Sequence, residues 1–191
     1  MASTREQLFE AIEADHVEVV RRLVTDDPSL ANARDDHGVS ALMRALYRMN
    51  VALVDAVEGR VDELDVFEAA SFGDLDRLTT LLDAEPALVT SYSPDGFTPL
   101  HFAAFFGRPE AAALLLARGA AVDAFGRGWM TGTALHSAAA NGDPASVELL
   151  LDAGADPAAS NEEGRTVLQM AEEKGDRATI ERIRAALQAA P

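Results

Sequence analysis

The sequence predicts an all-α protein, a solenoid of stacked helix–turn–helix repeats. Three observations predict it. An apolar marker recurs at Leu8, Leu42, Val66, Leu100, Leu135 and Leu168, with spacings of 34, 24, 34, 35 and 33 residues. Self-similarity at a nearly fixed period of this length is the signature of a repeat architecture. Three residues after each marker stands an alanine: Ala11, Ala45, Ala69, Ala103, Ala138 and Ala171. A side chain that small lets two helices approach closely. A second motif, Leu23-Val-Thr-Asp-Asp-Pro-Ser-Leu30, returns as Leu81-Leu-Asp-Ala-Glu-Pro-Ala-Leu88 after 58 residues. That distance equals one 34-residue and one 24-residue interval, so two unrelated markers agree on the period.

The repeats fall at about 4–38, 39–65, 66–96, 97–130, 131–163 and 164–191, a single array. The first opens with Glu6, Glu10 and Glu13, the polar outer face that the end of a solenoid needs to stay in solution. In the second, Ser40 stands where a hydroxyl can cap the first helix, and the second helix spans roughly Val51 to Glu58. Gly59-Arg60 then leads almost directly into Val61-Asp-Glu-Leu64, about ten residues short of the neighbouring repeats. Loops absorb such length changes, which favours a tolerated deletion. The fourth and fifth repeats carry Thr98 and Thr133 at the cap position, and Pro99 sits in the first turn, where a missing N–H costs little. Pro109 and Pro144 open the second helices, and Gly119 and Gly154 end them by supplying a left-handed residue. The sixth repeat has Thr166 as cap and closes on the polar stretches Glu172-Glu-Lys174 and Glu181-Arg-Ile-Arg184.

The copy Asp95-Gly-Phe-Thr-Pro-Leu-His-Phe-Ala-Ala-Phe-Phe-Gly107, followed by Ala113-Leu-Leu-Leu-Ala-Arg-Gly-Ala-Ala-Val-Asp123, resembles the ankyrin repeat. So does Thr133-Ala-Leu-His-Ser-Ala-Ala-Ala-Asn-Gly142 with Val147-Glu-Leu-Leu-Leu-Asp-Ala-Gly-Ala-Asp156. The resemblance covers about residues 4–188, strongest over 93–175 and weakest over 39–65. It implies an ankyrin-repeat solenoid with short hairpin fingers, two of them at Ala121–Thr131 and Ala155–Arg165, and none at the shortened junction. It also implies a non-catalytic scaffold that binds a protein through its concave face and fingers. The two residues before each mid-repeat glycine would line that face: Glu13-Ala14, Tyr47-Arg48, Ser71-Phe72, Phe105-Phe106, Ala140-Asn141 and Glu173-Lys174. The first two pairs precede Asp15 and Met49 instead of glycine, so their register rests on spacing alone.

This column is aromatic in the middle and polar at its ends. Of the eleven aromatic residues in the chain, seven lie between Tyr92 and Trp129. The expected partner-binding residues are therefore Tyr47, Phe72, Tyr92, Phe97, Phe105, Phe106, Phe125, Trp129 and Met130. Exposed rings of this kind bury large areas and anchor interfaces, each worth about 2 kcal/mol on truncation. Two alternatives stand beside this: packing of some rings over the hairpins, Phe97 and Phe125 above all, and self-association. Phe102 reads as core. A second class of function, a small-molecule or lipid-like binder, would use the same rings as a stacking site.

Composition bounds the partners. Sixteen basic residues stand against 32 acids, a formal charge of −16, and Lys174 is the one lysine. The basic footprint of a nucleic-acid or anionic-membrane binder is missing. An acidic rim that includes Asp95, Glu162 and Glu163 fits an as yet unidentified protein partner with basic residues. No signal-like apolar stretch opens the chain and the longest apolar run is Ala111 to Ala117, so a cytoplasmic monomer is the expectation. The alanine-rich, lysine-poor composition fits a high-GC bacterial or a halophilic source.

No catalytic residue, metal site or cofactor is expected. Cysteine is absent from the sequence, which removes thiol catalysis, disulfides and cysteine-held zinc. By the resemblance, His101 and His136 tie helix to hairpin by hydrogen bonds. Asp26-Asp27 and Asp35-Asp36 lack the alternating acids of a calcium loop. Gly126-Arg-Gly-Trp-Met-Thr-Gly132 lacks the lysine and hydroxyl of a phosphate loop and reads as a hairpin tip.

Overall fold

A computed structural model describes residues 3–128 and 131–189. Its helices are α1 (Thr4–Glu13), α2 (Val17–Asp26), α3 (Ala41–Tyr47), α4 (Val51–Glu58), α5 (Val66–Phe72), α6 (Leu75–Ala84), α7 (Pro99–Phe105), α8 (Pro109–Ala117), α9 (Ala134–Asn141), α10 (Pro144–Asp152), α11 (Val167–Lys174) and α12 (Arg177–Ala189). The protein is all-α among the described residues, with isolated antiparallel bridges Arg34–Ser40, Gly126–Gly132 and Ser160–Thr166 at the bases of hairpins. The two proline-bearing closing motifs form 3-10 helices, Pro28–Asn32 and Pro86–Thr90.

The backbone reproduces the sequence period. Seven residues after each marker, the chain turns through a left-handed residue: Asp15, Met49, Gly73, Gly107, Gly142 and Gly175. That turn reverses the chain between the two helices of a repeat, and glycine adopts it without penalty. Asp15 (φ 56°) and Met49 (φ 53°) occupy it without glycine, which fixes the register of the first two repeats. All six alanines that follow the markers are buried. The marker rule slips only at the last repeat, where Val167 is fully buried and Leu168 is partly exposed.

The left-handed conformation costs a side-chain-bearing residue about 1–2 kcal/mol. Asp15 is compensated, since it accepts hydrogen bonds from Arg48 and from the side-chain amide of Asn50. Met49 is 64% exposed and has no comparable compensation from packing. Met49→Gly is therefore expected to raise stability by about 1 kcal/mol, read as an upward shift of the unfolding midpoint.

The chain divides into two compact modules, 1–64 and 65–191. In the N-terminal module, α1 packs on α2 and α3, and α2 and α3 pack on α4. Leu8, Ile12, Val20, Val24, Leu42 and Leu53 form its core. Residues 59–65 join α4 to α5.

In the C-terminal module the first helices of successive repeats, α5, α7, α9 and α11, form an inner row, and α6, α8, α10 and α12 form an outer row. Contacts are densest along the inner row. The sequence explains this: Ala69, Ala70, Ala103, Ala104, Ala138 and Ala139 are all fully buried there, so the helices approach closely. Leu100, Leu115, Leu135 and Leu150 fill the space between the rows.

Capping fixes where the helices start. Ser40 and Thr166 accept from the backbone N–H three residues on, as their position suggested. Asp65 does the same for α5, accepting from Phe67 and Glu68 N–H, while buried Glu68 accepts from the Asp65 N–H. At Thr98 and Thr133 the hydroxyl instead meets the ring nitrogen of the histidine three residues later.

Candidate functional site

The inner row leaves few side chains to face a partner. In α7, residues 99–104 are all buried, and exposure begins only at Phe105. Phe105 and Phe106 are half-buried and meet edge to face, with ring centroids 5.1 Å apart. A glycine turn follows at once at Gly107, so the pair stands at the end of the helix.

A second aromatic group lies on the fingers. The Tyr92 hydroxyl donates to the Phe125 carbonyl at 3.1 Å, and the Arg127 guanidinium lies 3.8 Å from the centroid of the Tyr92 ring. The Arg127 N–H also donates to the Gly96 carbonyl at 2.7 Å. The two fingers approach so closely that a Cβ on Gly128 would stand 2.0 Å from the Asp95 carbonyl oxygen. Glycine is required there, and it fixes one finger against the next. Phe125 projects from this rigid base with 42% of its surface exposed.

The expected aromatic strip is thus two groups. α7 rises about 10 Å over its seven residues. The Tyr92–Phe125 group sits at the finger end and the Phe105–Phe106 pair at the opposite end. Phe97 departs from the binding list: it is 4% exposed, packed at 5.9 Å against both Phe102 and His101. The cause is Gly128, whose missing side chain leaves the space that the Phe97 ring fills. Phe102 is core, as read, and also meets Phe67 at 5.8 Å. Phe72 is half-buried at the end of α5. Tyr47 is half-buried in the N-terminal module. Trp129 and Met130 lie outside the described residues.

Polar side chains complete the column. The Arg108 Nε–H donates to the Ser71 carbonyl at 2.9 Å, and the arginine stem covers Gly73. Asn141 covers Gly107 and Lys174 covers Gly142 in the same way, each within 3 Å of where a Cβ would stand. Each left-handed glycine of these three repeats is thus a seat for a polar side chain of the next repeat. The sequence marked those glycines only as the reference points of the column and did not reveal this use.

His101 holds helix to hairpin; His136, expected to do the same, makes only the cap contact to Thr133. His101 Nδ1 accepts from the Thr98 N–H, which leaves Nε2–H to donate to the Gly132 carbonyl of the following hairpin at 3.1 Å. His136 Nδ1 accepts from the Thr133 N–H at 3.1 Å, while its Nε2 faces the Arg165 carbonyl too loosely for a hydrogen bond. Burial lowers both histidines below the ordinary value, against the smaller upward pull of the carbonyls. Imidazoles buried and held neutral in this way are poor general acids at neutral pH. In the N-terminal module, burial alone would raise Asp35, but hydrogen bonds from Arg44 and from the N–H groups of Val39 and His37 outweigh it and hold the carboxyl below its usual range. Among the described residues no cluster of histidine and carboxylate side chains is placed to hold a metal ion, and no helix is long and apolar enough to cross a membrane.

Residues 66–161 match the family model for ankyrin repeats, in three copies. The chain belongs to the ankyrin-repeat family. Helix-pair geometry, the Thr-Pro-Leu-His cap and the bridged fingers are the physical content of that assignment. Curated relatives carry the same repeats inside longer proteins. A probable E3 ubiquitin-protein ligase of rice, XBOS31, is 43% identical over 97 residues, 49% of this chain and 21% of the relative. A second rice protein, the probable E3 ubiquitin-protein ligase XBOS34, is 36% identical over 113 residues, 58% of this chain and 21% of its own length. The E3 ubiquitin-protein ligase KEG of Arabidopsis thaliana is 32% identical over 143 residues, 75% of this chain and 7% of its own. The ankyrin-repeat chain therefore spans about a fifth or less of these proteins.

Proposed function

We propose that this ankyrin-repeat chain is a non-catalytic protein-interaction scaffold that engages its partner through the inner-helix ends and the fingers, as a cytoplasmic monomer from a bacterial source. The observation that carries the reading is the Phe105–Phe106 pair. Two phenylalanines stand partly exposed at the end of a helix whose other residues are all buried. Leu100, Phe102 and Ala103 supply the buried interior of the same helix. Rings in that position offer apolar area with little entropy to lose on binding, the character of an interface anchor. Phe125, raised on cross-tied fingers, is the second anchor, with Tyr92, Phe72 and Tyr47 as flanking contacts. The formal charge of −16 suits a partner with basic residues.

The named relatives are ubiquitin ligases, and this chain matches their repeat portions. A RING-type zinc module needs cysteine ligands, and a thioester-forming ligase needs a cysteine nucleophile. This chain contains no cysteine. If it serves a ligase, these residues do so by holding a protein for a catalytic module outside them to modify. A small-molecule reading is supported less, because the aromatic groups stand apart at the two ends of α7.

The test is affinity capture from the source cell with wild-type protein and with Phe106→Ala and Phe125→Ala. Truncating a central anchor is expected to cost about 2 kcal/mol of binding, roughly a thirtyfold loss of affinity. Both sites are partly exposed, so unfolding midpoints should change little. Undiminished capture by both variants would rule out the aromatic anchors.

A further inference from the structure

A separate groove opens in the N-terminal module, between the exposed side of α1 and the finger that precedes α3. Its volume is about 320 Å³, and Phe9 is its one large apolar side chain. Around that ring stand the carboxylates of Glu6, Glu10, Glu13, Asp35 and Asp36, with Arg5 as the single lining cation. Helix spacing accounts for half of this: residues 6, 9, 10 and 13 recur on one face of α1, while Leu8, Ala11 and Ile12 face the core. A polar end cap needs only charged residues to remain soluble. It does not call for a half-buried phenylalanine in the middle of the acidic stripe. The cation that suits these carboxylates is already visible in the chain: Arg5, on the groove wall, bonds to Asp36, and Arg44, outside the lining, pairs with Asp35, with Glu13 nearby.

We propose that this groove docks an arginine-bearing peptide segment of the partner, with an arginine laid on the Phe9 ring and bonded to the flanking carboxylates. Both halves of that side chain are served: the planar cation stacks on an aromatic face and pairs with carboxylates, and its aliphatic stem covers apolar surface. Five lining carboxylates stand against Arg5 and against Arg44 and Arg48, which reach Asp35 and Glu13 from outside the lining; the groove stays net acidic, so a basic segment is attracted and an acidic one repelled. The proposal rests on the scaffold reading and gives the partner a chemistry and a second contact point, distinct from the Phe105–Phe106 pair.

The experiment uses the full chain and a short fluorescein-labelled peptide of alternating arginine and alanine, with a glutamate–alanine peptide as control. Anisotropy is measured for wild type, Phe9→Ala, Glu10→Gln and the charge-matched Glu110→Gln, exposed on the outer helix α8 and outside the groove. Expected are a loss of about fivefold or more for Phe9→Ala and Glu10→Gln, less than twofold for Glu110→Gln, and no binding of the glutamate peptide. Amide chemical-shift changes should be confined to α1 and residues 33–40. Glu10 is exposed, so its variant keeps the fold even where Phe9→Ala weakens packing. Equal losses for Glu110→Gln, or shifts scattered over the acidic surface, overturn the groove in favour of diffuse charge attraction. If Phe9→Ala and Glu10→Gln bind as wild type while partner capture still depends on Phe106, this inference fails and the scaffold reading stands.

Discussion

Leu135→Ala is expected to destabilise the C-terminal module by about 2–5 kcal/mol, the range for truncating a fully buried leucine that leaves a cavity. Leu135 has no exposed surface, and it belongs to α9, which packs on α7, α10 and α11. Its environment cannot close over the gap easily, because the alanines around it already hold the helices near contact. In a stack stabilised by neighbour contacts, loss at an interior repeat weakens both of its interfaces. Denaturant unfolding followed by far-UV circular dichroism measures the effect. Hydrogen exchange should show the loss concentrated in α7, α9 and α11. Leu168, partly exposed in the last repeat, provides the contrast: Leu168→Ala should cost clearly less.

His101→Ala should cost about 2–4 kcal/mol. The substitution removes the cap acceptor for the Thr98 N–H and one of the two donors on the Gly132 carbonyl, which keeps the Gly126 N–H, while opening a cavity beside Phe97. The last repeat supplies a natural control. There Gln169 occupies the same helical position and accepts from the Thr166 N–H at 2.8 Å. His101→Gln should accordingly keep the cap and lose chiefly the bond to the next hairpin, at about 1–1.5 kcal/mol. Comparing the two variants isolates the inter-repeat hydrogen bond.

The same histidines set a pH dependence. Their folded pKa values are lowered by burial, so the unfolded chain takes up protons more readily than the folded one. Stability is full above the ordinary histidine value of about 6.5 and falls as pH drops below it, down to the folded values. Asp15 and Asp176, held low by hydrogen bonds from Arg48 and Thr179, add a further loss in the acid range, as pH falls below the ordinary carboxylate value of about 3.9. His101→Gln should flatten part of the first phase and leave the second untouched.

The period was legible because packing imposes it. A left-handed turn must recur at a fixed distance from each marker, and the spacing located Asp15 and Met49 although neither is the glycine that usually signals one. Pro109 and Pro144 opened their helices as read, and Gly119 and Gly154 are left-handed as read. What stayed hidden depends on contacts between repeats. Nothing in the local sequence says that Gly128 makes room for Phe97, or that Arg108 reaches the Ser71 carbonyl. The proline-bearing closures did not reveal their 3-10 form, because short apolar runs suit either helix. Asp65 was legible in principle, since Asp65-Val-Phe-Glu68 is a capping-box pattern, but the valine marker drew attention one residue past it. The boundary between the two modules, at Leu64–Asp65, coincides with the 24-residue interval that marked the shortened repeat. Phe9 escaped notice because it lies among acids that read as a solvated end face.

Deuterium exchange of the partner complex, captured from the source cell and compared with the free chain, tests the central claim most directly. The account predicts protection at the Phe105–Phe106 end of α7 and in the fingers at 91–97 and 124–128, with the outer helices α6, α8 and α10 unchanged. Protection confined to those outer helices, with the inner ends and fingers exchanging as in the free protein, would contradict it.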